Sequence, residues 1–294
     1  RGGIMSKPIA SLSKTKQILE EFDRGANKTF GQNFIIDPSV VDKISDLAKV
    51  GENTAVMEIG PGLGGLTEYL CYKAKKVISI EIDEHMIEIL KKTVGHFENL
   101  EVIHMDFLQF DSSQWIAEQK TAGFSVAVCA NLPYYITTPI LFQLFESPVL
   151  PDSITVMMQK EVALRFSAKP STKDYNALSV IVQYLFNVQL VLNVPKQVFL
   201  PMPKVDSAVI RFTPKIKREV RNQKQFFELI KACFKQRRKT LTNNLAEYLK
   251  DRNKAIEVLT ECYIDPSRRA ETCDLDDFIR LYEVLNENES LRKN

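Results

Sequence analysis

The sequence predicts an α/β protein. Its core is a doubly wound, mostly parallel sheet of seven strands, and a small all-helical domain follows at the C-terminal end. Three observations carry that prediction. Short apolar runs alternate with helical stretches over the first two thirds of the 294 residues. A glycine-rich turn, "EIGPGLGGLT", follows the first of these runs and opens a helix. After Pro214 the strand signals stop and only helical periodicity remains.

Taken in order, the candidate strands are 54–59, 76–81, 100–105, 124–130, 153–159, 188–194 and 207–212, each short and rich in β-branched residues. Helical stretches between them include Leu66 to Tyr72, Glu84 to Thr93, Pro139 to Glu146 and Lys160 to Phe166. Strands alternating with helices imply βαβ crossovers and parallel pairing. The last two strands are joined by a proline-rich loop with no clear helix, which fits an antiparallel hairpin at a sheet edge and makes the last strand antiparallel. Beyond them, Gln223 to Phe234, Thr240 to Lys250, Lys254 to Glu261 and Asp274 to Leu285 carry helical periodicity. Asp274 suits an N-cap, with Asp276 and Asp277 favourable in the first turn. The expected division is a flexible N-terminus at 1–13, an α/β domain at 14–213 and a helical domain at 214–294. Arg1 to Ile4, which precede Met5, are set apart from the fold reasoning.

Composition excludes several classes. With 45% hydrophobic and 26% charged residues the chain reads as soluble and globular. No window reaches membrane-span length and no apolar signal core opens the chain, so the expectation is a cytoplasmic protein without membrane contact. The five cysteines form no CxxC pair and read as reduced and buried, and the three histidines have no zinc-like spacing, so no metal is expected. With no obvious exposed apolar seam, a monomer is the default. The net charge is only +2 but uneven: between Lys215 and Lys239 ten basic residues face only Glu219 and Glu228. Such a block is either a solvated surface or a polyanion contact, and its density around "KQRRK" favours the second. Arg221, Lys235, Arg237, Arg238 and Lys239 are the expected phosphate contacts.

In the glycine turn, Gly60, Gly62 and Gly65 satisfy GxGxxG, while Gly60, Gly62 and Gly64 satisfy GxGxG. The first pattern belongs to dinucleotide folds and the second to S-adenosylmethionine folds, so the glycines alone leave both open. Glu58 helps to decide. A carboxylate there repels a pyrophosphate but tolerates the ammonium and sulfonium of S-adenosylmethionine. Glu81 closes the second strand, where a carboxylate can accept both ribose hydroxyls. Asp106 follows the third strand and could accept an adenine amino group. Ile82 and Phe107 adjoin these acids and complete the expected cofactor contacts.

"NLPYYITTPI" follows the fourth strand, and Pro133 stops that strand at or before Asn131. The Asn131 side-chain oxygen and the Leu132 carbonyl, aimed by Pro133, can grip the N–H groups of an exocyclic base amine. That grip makes the nitrogen more tetrahedral and frees its lone pair for methylation. Tyr134 can stack on the base, a contact worth roughly 1–3 kcal/mol.

At this point the chain resembles a known family. "FGQNFIID", "EIGPGLGGLT", "EID", "MDF", "NLPYYIT", "FLPMPKVDS", "FKQRRKTLTNN" and "RAET" are similar, in this order from about Lys14 to Leu285, to the motifs of the KsgA family of bacterial dimethyladenosine transferases. The resemblance implies a class I S-adenosylmethionine methyltransferase sheet. It implies four methyl transfers to the N6 atoms of two adjacent adenosines near the 3′ end of small-subunit (16S) ribosomal RNA, within an immature 30S particle. By motif position, cofactor contacts fall on Asn33, Ile35, Gly60, Glu81, Asp106 and Asn131. Phe199 is a candidate second stacking surface for the adenine, and could equally be core packing beside Pro201 and Pro203. Tyr135 stands where the family often has Asn, and Ile35 replaces Leu conservatively.

Three rivals remain at this level. An Erm-type enzyme acting on large-subunit RNA shares the cofactor and base motifs, although "KQRRKTLTNN" and "RAET" resemble the small-subunit group more closely. A DNA adenine methyltransferase shares Asn-Leu-Pro-Tyr but would need a recognition domain beyond the small helical one. An assembly factor that acts mainly by binding the small subunit would rest on the basic segment. A nicotinamide enzyme explains neither Glu58 nor the Asn131 segment.

Overall fold

A computed structural model describes residues 7–22, 32–132 and 137–292. In chain order the elements are α1 (Leu12–Glu21), β1 (Phe34–Ile35), α2 (Pro38–Leu47), β2 (Thr54–Ile59), α3 (Gly65–Lys73), β3 (Lys76–Glu81) and α4 (Glu84–Thr93). They continue with β4 (Leu100–His104), α5 (Ser112–Thr121), β5 (Ser125–Asn131), α6 (Thr137–Phe145), β6 (Ser153–Gln159) and α7 (Lys160–Phe166). The remainder are α8 (Ala177–Leu185), β7 (Phe186–Val194), β8 (Phe199–Leu200), β9 (Ser207–Pro214), α9 (Gln223–Cys233), α10 (Leu241–Leu249), α11 (Arg252–Glu261) and α12 (Leu275–Arg292).

The seven-stranded sheet has the order β4-β3-β2-β5-β6-β9-β7. The first five of these strands pair in parallel, and β9 runs antiparallel to β6, with Ile154 opposite Phe212. Every residue of β2 is buried, as expected for a strand covered on both faces. From β2 the chain builds outward through β3 and β4, then returns to β5 on the other side of β2. The C-terminal ends of β2 and β5 therefore flank the point where strand order reverses, which is where open α/β sheets bind ligands. A separate two-stranded pair, β1 with β8, sets Ile35 opposite Phe199.

The chain divides into two compact units. One comprises residues through Ala163 with Gln189–Pro214; the other comprises Leu164–Val188 with Lys215–Asn294. The first unit ends at Pro214, and what differs from the sequence reading is the 164–188 segment, expected in the α/β domain, which groups with the C-terminal helices. Aromatic packing explains why. On α8 the Tyr184 ring lies 5.2 Å from Phe226 of α9, and its hydroxyl donates to the Arg218 carbonyl at 3.0 Å. Tyr175 likewise donates to the Cys273 carbonyl at 2.6 Å. The alternating sheet pattern hid this insertion because α8 is apolar enough to pass for a crossover helix.

A second correction concerns the N-terminus, expected to be flexible through residue 13. Ile9 and Ala10 are buried, the Ile9 amide donates to Glu68, and Ser11 caps α1 by accepting from the Lys14 amide. Ile9 and Ile18 pack with Phe34, Leu63, Met86, Ile89 and Leu90 into one of the cores of this unit.

Candidate active site

A cavity of ≈ 740 Å³ opens at the C-terminal ends of β2, β3 and β5, beside the turn after β4. Its walls collect residues far apart in sequence: Asn33 and Ile35, Glu58, Gly60 and Gly62, Glu81 and Ile82, Asp106 and Phe107, Asn131 and Leu132, and Phe199.

Gly60 follows β2 with φ +72°, and a Cβ built there would sit 3.1 Å from the Asn131 carbonyl oxygen. Only glycine lets the turn pass this close to the end of β5. Gly62 lines the cavity against the Phe34 ring. Gly64, expected among the cofactor contacts, does not line it. It is the left-handed N-cap of α3, and a side chain there would meet Thr93 and Val94 at 3.0–3.1 Å. Its glycine answers to helix packing.

The acids differ in what they do. Glu58 is buried, and its Oε1 accepts from the Thr67 hydroxyl at 2.5 Å and the Ser79 hydroxyl at 2.7 Å. Burial pushes its carboxyl up to about 7; the two hydroxyls oppose that shift and the nearby Glu81 charge reinforces it. Glu58 thus ties β2 to α3 and β3 beneath the cavity. Glu81 is also buried. Its Oε2 accepts from the Ile82 amide at 2.8 Å and the Asp83 amide at 3.2 Å, while Oε1 is buried without a hydrogen-bond partner among the described residues. Burial raises its pKa, against the pull of those amides. An orphaned buried acceptor is costly unless a ligand donates to it. A ribose hydroxyl meets that requirement.

Asp106 uses Oδ1 to cap the one-turn helix that starts at Phe107, accepting from the Leu108 amide at 3.0 Å. Phe107 is buried in the cavity wall, whereas Ile82, Met105 and Leu108 line it with large exposed apolar surface. Acids beside an apolar rim suit a flat, amine-bearing ring such as adenine. Met105 and Leu108 were missed from sequence; the available signal was that apolar residues flank Asp106 just after a strand end.

Asn131 is the last residue of β5, half-buried in the cavity wall, and Leu132 is buried behind it. Pro133 and Tyr134 lie outside the described residues. Phe199 packs with Ile35, Val41, Met157 and Val209, the core role that the sequence left open, and it also lines the cavity. Asn33 and Ile35 reach the site through the β1–β8 pair, which periodicity does not reveal in two-residue strands.

The predicted phosphate contacts all belong to the helical unit. Lys235 to Lys239 are exposed and occupy the link between α9 and α10, between the two helical spans that the periodicity marks. Lys235 pairs with Glu247 at 2.7 Å. Arg237 pairs with Glu271 at 3.4 Å and donates to the Lys173 carbonyl at 2.6 Å. Arg221, Arg238 and Lys239 are exposed.

With this geometry in view, comparison with known proteins is decisive. A family profile described as ribosomal RNA adenine dimethylase matches residues 24–287. The chain belongs to the ribosomal RNA adenine dimethylase family. It is 46% identical, over 95% of its length and 98% of the relative's, to ribosomal RNA small subunit methyltransferase A of Bacillus mycoides. It is also similar in structure to a dimethyladenosine transferase from Plasmodium falciparum, with TM-score 0.73, 30% identity, and coverage of 87% of this chain and 98% of that one. The 23S rRNA methyltransferase ErmE is more distant, at TM-score 0.64 and 26% identity, covering 86% of this chain and all of the other. The protein is therefore a methyltransferase of ribosomal RNA with a class I fold, and its methyl donor is S-adenosylmethionine. The orphaned Glu81 oxygen, Asp106 with its apolar rim, and the absence of a Cβ at Gly60 and Gly62 fit that donor. Among the described residues no helix is long and apolar enough to cross a membrane.

Proposed function

We propose that this enzyme dimethylates the N6 amines of two adjacent adenosines near the 3′ end of 16S ribosomal RNA, acting as a monomer on the immature 30S particle in the cytoplasm. The observation that carries the reading is the meeting, in one cavity, of Asn131 at the end of β5 with Glu81 and Asp106 from the neighbouring strand ends. The identity to a small-subunit enzyme over nearly the whole chain supports the choice of subunit.

Glu81 would hold the ribose of S-adenosylmethionine, Asp106 its adenine, and the Gly60–Gly62 turn with Asn33 and Ile35 the remainder. When bound, the cofactor supplies a methyl group on a sulfonium. The chain's own contribution is placement. The Asn131 side-chain oxygen and the Leu132 carbonyl accept the two N–H groups of the target amine and turn its lone pair toward the cofactor side. Tyr134 stacks on the base, and Phe199 closes the wall opposite. Alignment at about 3–3.5 Å between reacting atoms supplies most of the acceleration. A monomethylated amine re-enters with its remaining hydrogen gripped, so the pocket admits one methyl before it receives another. Among the described residues no cysteine lines the cavity, and burial pushes the thiols of Cys71 and Cys233 up to about 12 and that of Cys129 higher still.

The test is transfer of labelled methyl groups to purified small and large ribosomal subunits from cells lacking this enzyme, with the modified base mapped. Label on paired small-subunit adenosines as N6,N6-dimethyladenosine is expected. Label on the large subunit would favour the Erm-type alternative. Tight particle binding with no label on either would leave an assembly factor.

A further inference from the structure

The loop between β8 and β9 carries an apolar surface at the edge of the cavity to which the amine grip and the cofactor contacts assign no role. Met202 is 59% exposed and Val205 45%, and both are large apolar side chains. Val205 and Pro203 line the mouth of the cavity. Their exposure is not the result of a slack loop. The Asp206 carbonyl accepts from the Lys160 amide at 3.0 Å, and its carboxylate accepts from the Lys196 amide at 2.9 Å. Held in this way, the Asp206 charge is engaged with the backbone, and exposed Lys204 stands between the two apolar residues. An apolar pair with a cation between them, continuous with the wall that receives a base, matches a nucleotide: the ring lies on the apolar side chains and the phosphate meets the lysine.

We propose that Met202 and Val205 form a shelf for the nucleotide next to the adenosine in the cavity, with Lys204 on its phosphate. This inference rests on the function proposed above. Strand polarity sets one flanking nucleotide on the shelf, so when two adjacent adenosines are modified in turn and the one on that flank goes first, the shelf holds an outer, unmodified neighbour during the first round and the dimethylated adenosine during the second. A dimethylated N6 has lost its hydrogen-bond donors and gained two methyl groups. A polar rim would read that change as a loss, whereas an apolar shelf accepts it by burying the methyls. The shelf therefore lets one site complete both nucleotides.

The experiment uses the full-length enzyme and small subunits from cells that lack the activity. Particles carrying none, one or two dimethyladenosines are followed over time by mass spectrometry of the RNA fragment. The variant Met202→Gln/Val205→Thr should slow completion of the second nucleotide about tenfold, the worth of two methyl groups left unburied, while changing the first by no more than about threefold. Singly modified particles should accumulate, and Met202→Leu/Val205→Ile should behave as wild type. Equal slowing of both rounds in Met202→Gln/Val205→Thr, or no slowing, would overturn the shelf while leaving the function intact. If the unaltered enzyme modifies neither adenosine, the proposed function falls and the shelf falls with it.

Discussion

The charges of the cavity and those of the α9–α10 link act in different ways. In the cavity, Glu58 and Glu81 are buried and held by named donors, one at two hydroxyls and the other at two amides. In the link, Lys235 and Arg237 are exposed and already share their charge with Glu247 and Glu271. A buried charge acts at short range through a weakly screening interior, so each group matters individually. Exposed charges are screened by salt and matter only as a sum. The first region suits chemistry and the second suits holding a polyanion.

The sharpest contrast comes from Asn131→Ala. It should lower the rate of methyl transfer by about 10²–10³-fold, the usual effect of deleting one preorganised hydrogen-bonding group at a reacting atom. Calorimetry should show cofactor affinity nearly unchanged. A fully active variant would break the amine-grip mechanism.

Next in size is the pH response of Glu58. Its carboxyl moves from 4.5 to about 7 on folding. A raised carboxyl pKa contributes stability below about 4.5 that is lost as pH rises through 7, on the order of 3 kcal/mol for a shift of this size. Glu68 and Glu81 are raised too and add a decline of the same sign. Glu58→Gln should therefore reduce, without abolishing, the fall in Tm across that window and should leave the protein more stable at pH 8. An unchanged Tm–pH profile would show that Glu58 does not titrate there.

Gly60→Ala should destabilise by about 1–2 kcal/mol from its positive φ alone. The close approach to the Asn131 carbonyl should add to that and weaken cofactor binding. Thermal unfolding and titration calorimetry on the same sample separate the two effects.

The link gives the smallest effects per residue. Arg238→Gln with Lys239→Gln should weaken particle binding about tenfold and lower the slope of log K against log salt by about 0.7–0.9 per lost contact. Glu247→Gln should do the reverse, because it frees Lys235, while leaving Tm essentially unchanged. Binding that ignores all three changes would remove the link from the RNA interface.

Much of this was legible in the sequence because its signals are local. β2, β3 and β6 span 54–59, 76–81 and 153–159 as the apolar runs indicate, and α4 spans Glu84–Thr93. Strand ends and turn chemistry are enough to place Glu81, Asp106 and Asn131 on a common edge of the sheet. The roles of individual groups were less legible. Glu58 and Gly64 read as cofactor contacts because they sit in the motif; Glu58 lines the cavity while its Oε1 accepts from Thr67 and Ser79, and Gly64 packs on α4.

The sequence by itself determined the alternation of elements, the glycine turn, the acids at the strand ends and the basic run, because each depends on residues close in the chain. Only the tertiary structure decided which acid keeps an open oxygen, that Ile9 and Ala10 are buried, that 164–188 joins the C-terminal helices, and that Phe199 meets Ile35 at the cavity. Those outcomes depend on burial and on contacts between residues dozens to more than a hundred positions apart, and no local pattern encodes them.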